Sequence, residues 1–282
     1  MELINQERIE DDGLYTPEIG YWGVQKYKLV HGYSRLFATS MKRKWDYRVY
    51  IDLFSGAGRA RIKDTNRYVV TSPLLALDIP DKFDKYIFCE QNEEAINALK
   101  ERVSSVEFSI PPGFICGDAN LSVDEILKEM PRHGNGSKVL AFCFVDPFKL
   151  KNLHFSTLAK LSEKFMDFLV LIPTNMDAKR NVACYVSSKN KTIENFTGNR
   201  TWREKWDQVK HQQGFDIFLT NIFGNSMERL GYFYTGIKDT QLIRSSEKNL
   251  ALYRLAFFSR SNLGKKFWVD IKKLCDPRMK LF

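Results

Sequence analysis

Four places in this sequence pair a carboxylate with small or turn-forming residues that let a ligand come close. The first is Asp52-Leu53-Phe54-Ser55-Gly56-Ala57-Gly58, whose glycines permit positive φ and close backbone approach. The second is Glu90, followed by Gln91. The third is Asp118 with Ala119, and the fourth is Asp146-Pro147-Phe148. Each closes or directly follows a short apolar run that reads as a β-strand. Ligands of open α/β sheets sit at the C-terminal ends of such strands, where loops and helix N-termini converge.

The chemistry differs from place to place. Position 61 is Arg, so the first loop lacks the third glycine of the dinucleotide pattern GxGxxG. A carboxylate at Asp52 would oppose a pyrophosphate and suits an amine or a water. Glu90 can accept hydrogen bonds from both hydroxyls of a ribose. It lies 38 residues after Asp52, where a dinucleotide fold has about 20, and an insert at 59–70 accounts for the excess. Asp118 can take an adenine amino group while the neighbouring backbone N–H reads the ring. Taken singly, each acid could be a helix cap and the Gly-Ala-Gly a plain turn. Their order along one edge points instead to a nucleoside cofactor, and to S-adenosylmethionine rather than NAD. The binding set read in this way is Asp52, Phe54, Ser55, Gly56, Gly58, Glu90, Gln91, Asp118, Ala119 and Asp146.

Asp146, Pro147 and Phe148 are the candidate catalytic residues. Enzymes that methylate the amino groups of adenine or cytosine carry [Asp/Asn]-Pro-Pro-[aromatic] here. The acid and a prolyl carbonyl accept the amine protons, and the aromatic stacks on a flipped base. This chain is one proline short, which keeps N-methylation open on a reduced motif. Phe148 reads equally as a stacking ring or as core packing. Carbon-5 methylation needs a Pro-Cys nucleophile after the fourth strand. Cys143 lies inside that strand, so this chemistry is rejected.

These residues need a sheet to hold them. Strands are expected at 48–54, Lys85–Glu90, Gly113–Cys116, Val139–Val145 and Asp167–Ile172, then at Tyr232–Ile237 and Leu250–Phe258. Apolar strands alternating with amphipathic helices imply a mostly parallel sheet covered on both faces. A helix is expected at about 22–40, and Ser72 can cap another before Pro73. Asn92 can cap a third, and the helix after Asp146 carries Leu158, Leu161 and Phe165 on one face. Residues 59–70 read as a loop or irregular insert, and residues 1–20 as a loosely held arm. Trp202 and Trp206 read as a packing stripe, residues 215–230 as an amphipathic helix, and Gly264 opens a last helix. The expected organisation is an arm and helix at 1–47, a cofactor-binding core at 48–174, a helical insert at 175–230, and closing strands and helix at 231–282.

The chain has 282 residues and a net charge of +9, which favours a polyanionic partner such as nucleic acid. The charge is uneven. Residues 1–20 hold six acids and one Arg, whereas residues 22–48 hold seven Lys/Arg and one acid. The cysteines 89, 116, 143, 184 and 275 form no CxxC pair, which argues against a disulfide framework or a zinc ribbon. Those inside apolar runs read as buried thiols. The four histidines show no metal-ligand spacing, so no metal is expected. No apolar run is long enough for a membrane span, and the acidic N-terminus has no secretory pattern. A cytoplasmic protein is expected.

The stretch 50–58 is similar to motif I of DNA and RNA methyltransferases. The whole chain more closely resembles the three-Cys-motif partner (TcmP) family. The matching pieces include Trp22 with Lys26, Ser72–Leu77, Phe88–Asn92, Gly117–Asn120, Phe144–Leu150, Asp167–Asn175, Tyr253–Arg260 and Leu263–Trp268. The match is weak over 176–230. The resemblance implies a Rossmann-like class I methyltransferase fold: an α/β, mostly parallel seven-stranded sheet with a helical insert. It also implies S-adenosylmethionine as cofactor and a partner protein bearing three cysteines, of radical-S-adenosylmethionine type. Two functional readings follow. One is a methyltransferase acting on a nucleic-acid base or nucleotide-like substrate. The other is a non-catalytic partner subunit that binds the three-Cys protein or nucleic acid, in a phage or defence setting.

Overall fold

The computed structural model describes residues 9–134, 136–245 and 249–274. In chain order the first elements are β1 (Glu18–Ile19), α1 (Gly23–Met41), β2 (Tyr47–Asp52), β3 (Arg59–Ile62), β4 (Tyr68–Val70) and α2 (Ser72–Leu77). Next come β5 (Lys85–Glu90), α3 (Glu93–Arg102), β6 (Gly113–Cys116), α4 (Val123–Glu129), β7 (Val139–Val145), α5 (Phe155–Leu161) and β8 (Met166–Ile172). The remainder are α6 (Val182–Val186), α7 (Thr192–Thr197), α8 (Trp202–Val209), α9 (Phe215–Arg229), β9 (Thr240–Arg244), β10 (Ala251–Phe258) and α10 (Asn262–Leu274).

Seven strands form one sheet in the order β6-β5-β2-β7-β8-β10-β9. β6, β5, β2 and β7 are paired in parallel, while β10 runs antiparallel to β8 and to β9. This is the Rossmann-like class I methyltransferase fold. The central strands read as unbroken apolar runs because both of their faces are covered. Every residue of β8 is buried, and all but Leu140 of β7.

The chain divides into two compact units, residues 1–144 with 267–282, and residues 145–266. The first is centred on an aromatic cluster in which Tyr33 meets Phe142 at 4.7 Å between ring centroids and Phe37 stacks on Phe83 at 5.7 Å. In the second, Trp206 packs against Phe215 and Phe218 at 5.0 and 5.1 Å, and Trp202 is buried. The tryptophan pair is therefore a packing stripe.

Several local expectations are corrected. Residues 59–70 are not an irregular insert: β3 and β4 form a hairpin, and β1 adds to it in parallel. The alternation of Ala60, Ile62 and Val69 toward one small core is too short to show against the surrounding charges. The strand expected at Tyr232–Ile237 is absent, and β9 lies at Thr240–Arg244 instead. Tyr232 and Tyr234 are buried as that alternation requires. The chain then turns at Gly236 (φ +108°), and the Asp239 carboxylate gathers the Thr235 N–H and hydroxyl. Phe165 does not share a helix face with Leu158 and Leu161. α5 stops at Leu161, and Phe165 is 53% exposed. Ser72 is the first residue of α2, with no side-chain capping bond there. Asn92 does cap α3, accepting the Ala95 N–H at 3.0 Å. Cys116 is exposed rather than buried, and Cys275 lies outside the described residues.

The arm is not loose over its described part. Arg102, at the end of α3, donates to both Asp12 carboxylate oxygens at 2.8 and 2.7 Å, to the Thr16 hydroxyl and to the Tyr15 carbonyl. Arg59 adds an ion pair to Asp12 at 3.0 Å, and Arg61 pairs with Glu18. Among the described arm acids, Asp11, Asp12 and Glu18 are thus met within the chain, Asp11 by the Tyr68 hydroxyl. Hydrogen bonding from Arg102 holds the Asp12 carboxyl down at about 2. A depressed folded-state pKa stabilises docking above the unfolded value of about 3.9, and that contribution is lost as pH falls toward 2. Hydrogen exchange at residues 10–19, corrected for intrinsic rates, is expected to stay slow at about pH 5 and to accelerate between about pH 4 and 2. Protection unchanged down to pH 2 would contradict the ion-pair account.

Candidate functional site

The first unit places three of the four sequence acids on one sheet edge. Asp52 is in register with Phe88, and Glu90 with Cys116, so β2, β5 and β6 end side by side. Asp52 is fully buried. Its carboxylate accepts the Tyr50 hydroxyl at 3.0 Å and the Phe54 N–H at 3.3 Å, which fixes the turn out of the strand from within. Burial and the adjacent carboxylate push the Tyr50 phenol well above its ordinary range, so it remains a donor to Asp52.

The loop is tied across to β5. Ser55 N–H donates to the Cys89 carbonyl at 3.0 Å, and Gly56 N–H donates to Glu90 Oε2 at 2.9 Å. Glu90 Oε1 accepts the Asn92 N–H at 2.9 Å. Each carboxylate oxygen keeps a second acceptor position, so Glu90 is held rigid with capacity for two more donors. Gln91 beside it is exposed. Asp118 Oδ1 accepts the Asn120 N–H at 2.7 Å, and its carbonyl accepts from Leu121 and Ser122. The carboxylate thus closes its own turn through Oδ1. Ala119 is buried, while Leu121 is 86% exposed.

The two loop glycines meet different needs. Gly58 has φ +82°, and a Cβ there would stand 2.9 Å from Leu99 and 3.1 Å from Leu74. Gly56 has φ +61°, and a Cβ there would meet nothing within 4 Å. One glycine lets α2 and α3 close on the loop, and the other leaves its outer surface open. Gly58→Ala is expected to cost about 2–4 kcal/mol, the sum of left-handed strain and overpacking. Gly56→Ala should cost only about 1 kcal/mol of stability yet place a methyl where a ligand would approach. Thermal midpoints with ligand titration check this; equal destabilisation by both would contradict it.

Asp146, Pro147 and Phe148 follow β7 and belong to the second unit. Asp146 is half-buried and Pro147 buried, whereas Phe148 is 78% exposed. The core-packing reading of Phe148 therefore fails. The loop is pinned by Asp177, whose Oδ2 accepts the Leu150 N–H at 2.8 Å. Tyr185 and Asn181 donate to the other Asp177 oxygen at 2.6 and 2.8 Å. Cys143 is fully buried within β7, and burial raises its thiol well above the ordinary range. A thiol in that state supplies no nucleophile.

Two supporting residues were not legible in the sequence. Arg102 donates to the Ala57 carbonyl at 2.5 Å as well as to the arm, so one guanidinium joins the arm to the glycine loop. Asp177 supports the Asp146 loop from 27 residues downstream of its hydrogen-bond partner Leu150. A lone Arg at a helix end and a lone Asp after a strand carry no spacing signal.

The residues fit a nucleoside with an amino-acid tail. Glu90, with acceptor positions to spare for a diol, and Asp118, with a carboxylate that could meet an amine, lie on adjoining strand ends, beside a loop open at Gly56. Ser55 Oγ, buried at that loop, has no hydrogen-bond partner among the described residues.

No family model matches the chain, and no curated protein matches it in sequence. Solved structures do resemble it. Protein LPL1258 from Legionella pneumophila, of the DUF519 family, is 12% identical with a TM-score of 0.50, and the match covers 90% of this chain and 91% of that one. M. jannaschii TYW2, in complex with AdoMet, is 10% identical with a TM-score of 0.40, covering 86% and 78%. A SAM-dependent O-methyltransferase from Thermotoga maritima is 11% identical with a TM-score of 0.37, covering 81% and 65%. At such identities the likeness speaks to fold alone. No described helix is long and apolar enough to cross a membrane.

Proposed function

We propose that the chain is an S-adenosylmethionine-dependent methyltransferase of the three-Cys-motif partner type, acting on an amino group of a nucleic-acid base or nucleotide-like substrate. The observation that carries this reading is Glu90. It stands at the end of β5, is locked to the Gly56 N–H, and keeps acceptor capacity for a ribose diol.

In this reading Glu90 takes the ribose hydroxyls, and Asp118 with the Ala119 backbone takes the adenine edge. Exposed Leu121 would give the purine an apolar wall. Phe54, Ser55, Gly56, Gly58 and Gln91 shape the approach of the methionine portion. Asp52 acts from beneath by fixing the Phe54 turn. When bound, the cofactor supplies a methyl group already activated on a sulfonium. The protein's task is then alignment. Asp146 orients the acceptor amine and takes its proton as the nitrogen–methyl bond forms. Pro147 presents its carbonyl to the same amine. Phe148 offers an exposed face to the base.

Incorporation of a labelled methyl group from S-adenosylmethionine into nucleic acid, lost in Asp146→Ala, tests the reading. The shortened Asp-Pro-Phe favours a second one, a non-catalytic subunit that binds cofactor and docks on a three-Cys protein. Cofactor binding with no labelled acceptor in any nucleic acid or nucleotide would select that second reading.

A further inference from the structure

The second unit carries an acid-poor face beside the Asp146 loop. There is no Asp or Glu from Pro147 to Ser162, and none from Ala178 to Ile193. Within these stretches Lys149, Lys151, Lys179, Arg180 and Lys189 are all exposed. None of the five is in an ion pair with a described carboxylate; Lys191, next along, is paired with Glu194. Three carboxylates lie between the two stretches: Glu163 is exposed but precedes β8, Asp167 is buried within it, and Asp177, beside the second stretch, is 6% exposed and committed to Leu150, Asn181 and Tyr185.

The same contacts bring the stretches together. Asp177 touches Leu150, so Lys149 and Lys151 flank that contact on one strand end, and Lys179 and Arg180 follow it on the other. The second stretch is also held in shape. Arg203 donates to the carbonyls of Tyr185, Val186, Ser187 and Asn190. The backbone at Lys189 is therefore held by Arg203 and that between Lys149 and Lys151 by Asp177, and Phe148, 78% exposed, stands next to Lys149.

We propose that Lys149, Lys151, Lys179, Arg180 and Lys189 form a phosphate track for single-stranded nucleic acid, with Phe148 stacking on one unpaired base. Fixed cations beside an exposed aromatic ring are the elements of single-strand recognition: the charges follow the backbone and the ring takes any base by its π-face. A duplex base reaches Phe148 only after flipping, at a cost of about a few kcal/mol that an unpaired base avoids, which favours single strands. The inference rests on residues 146–148 being the acceptor loop.

The test is fluorescence anisotropy of the full chain with labelled 12-nucleotide single strands, DNA and RNA, and with the matching duplex, over a salt series. Calorimetry with S-adenosylmethionine runs in parallel. Four or five phosphate contacts should give a slope of log K against log salt of about −3. Single strands should bind at least about tenfold tighter than duplex. Lys179→Glu with Arg180→Glu should weaken binding about tenfold or more and flatten the slope by about 1.4. Lys164→Glu changes an exposed charge at the opposite end of β8 and should have little effect. All variants should keep the wild-type thermal midpoint and cofactor affinity. Equal loss in Lys164→Glu and in the Lys179→Glu, Arg180→Glu double variant, tighter duplex binding, or no oligonucleotide binding by a chain that binds cofactor would overturn the track and leave the cofactor reading standing. Track binding by a chain that fails to bind cofactor would uphold the track and defeat the cofactor reading.

Discussion

Asp146→Ala will lower methyl transfer by about 10²- to 10⁴-fold, the range for removing a positioned proton acceptor, while cofactor affinity changes by less than about threefold. The split follows from position. Asp146 follows the end of β7 and precedes an exposed Phe148 on a loop braced by Asp177. The proposed cofactor contacts are Glu90 and Asp118, which come from the ends of β5 and β6. Steady-state rates with labelled methyl donor, together with calorimetry on the same preparation, separate the two effects. A parallel fall in affinity would return Asp146 to the cofactor-binding set that the sequence suggests. An unchanged rate would remove it from the chemistry.

Arg102→Ala is the second large effect. The Arg102 side chain is 3% exposed and serves Asp12, Tyr15, Thr16 and the Ala57 carbonyl together. Breaking a buried ion pair costs about 3–5 kcal/mol, and here somewhat less because the Asp12 side chain keeps 24% of its exposure and can rehydrate. A loss of about 2–4 kcal/mol is expected in chemical denaturation. Cofactor affinity should also fall, although Arg102 faces the arm and the back of the loop. Arg102→Lys can restore one ion pair to Asp12 but not the separate Nη1 hydrogen bond to the Ala57 carbonyl, so it should recover more stability than affinity. Equal recovery of both would mean that the Ala57 contact does not shape the site.

The strand positions were legible because fully buried strands are written as apolar runs, as in Val139–Val145. The edge acids were legible because each stands at or just beyond the end of such a run. What escaped was decided by partners far along the chain. Asp12 meets Arg102 90 residues away, so a polar arm that looks loose in sequence is docked. The hairpin at 59–70 hides its short apolar alternation among Arg, Lys and Asp. At Tyr232 the alternation is real, but Asp239 folds the following residues into a turn and the strand begins later. The exposure of Phe148 could not be read from its type, since an aromatic after a strand serves core and surface equally.

Isothermal calorimetry of the wild-type chain and of Glu90→Ala with S-adenosylmethionine decides whether Glu90 holds the cofactor. One-to-one binding to the wild type and a loss of about 100-fold or more in the variant are expected, because two ribose donors would lose their shared acceptor. The variant should still fold, with its loop freed from the Gly56 anchor. Binding that survives Glu90→Ala unchanged, or no binding to the wild type, would contradict that assignment.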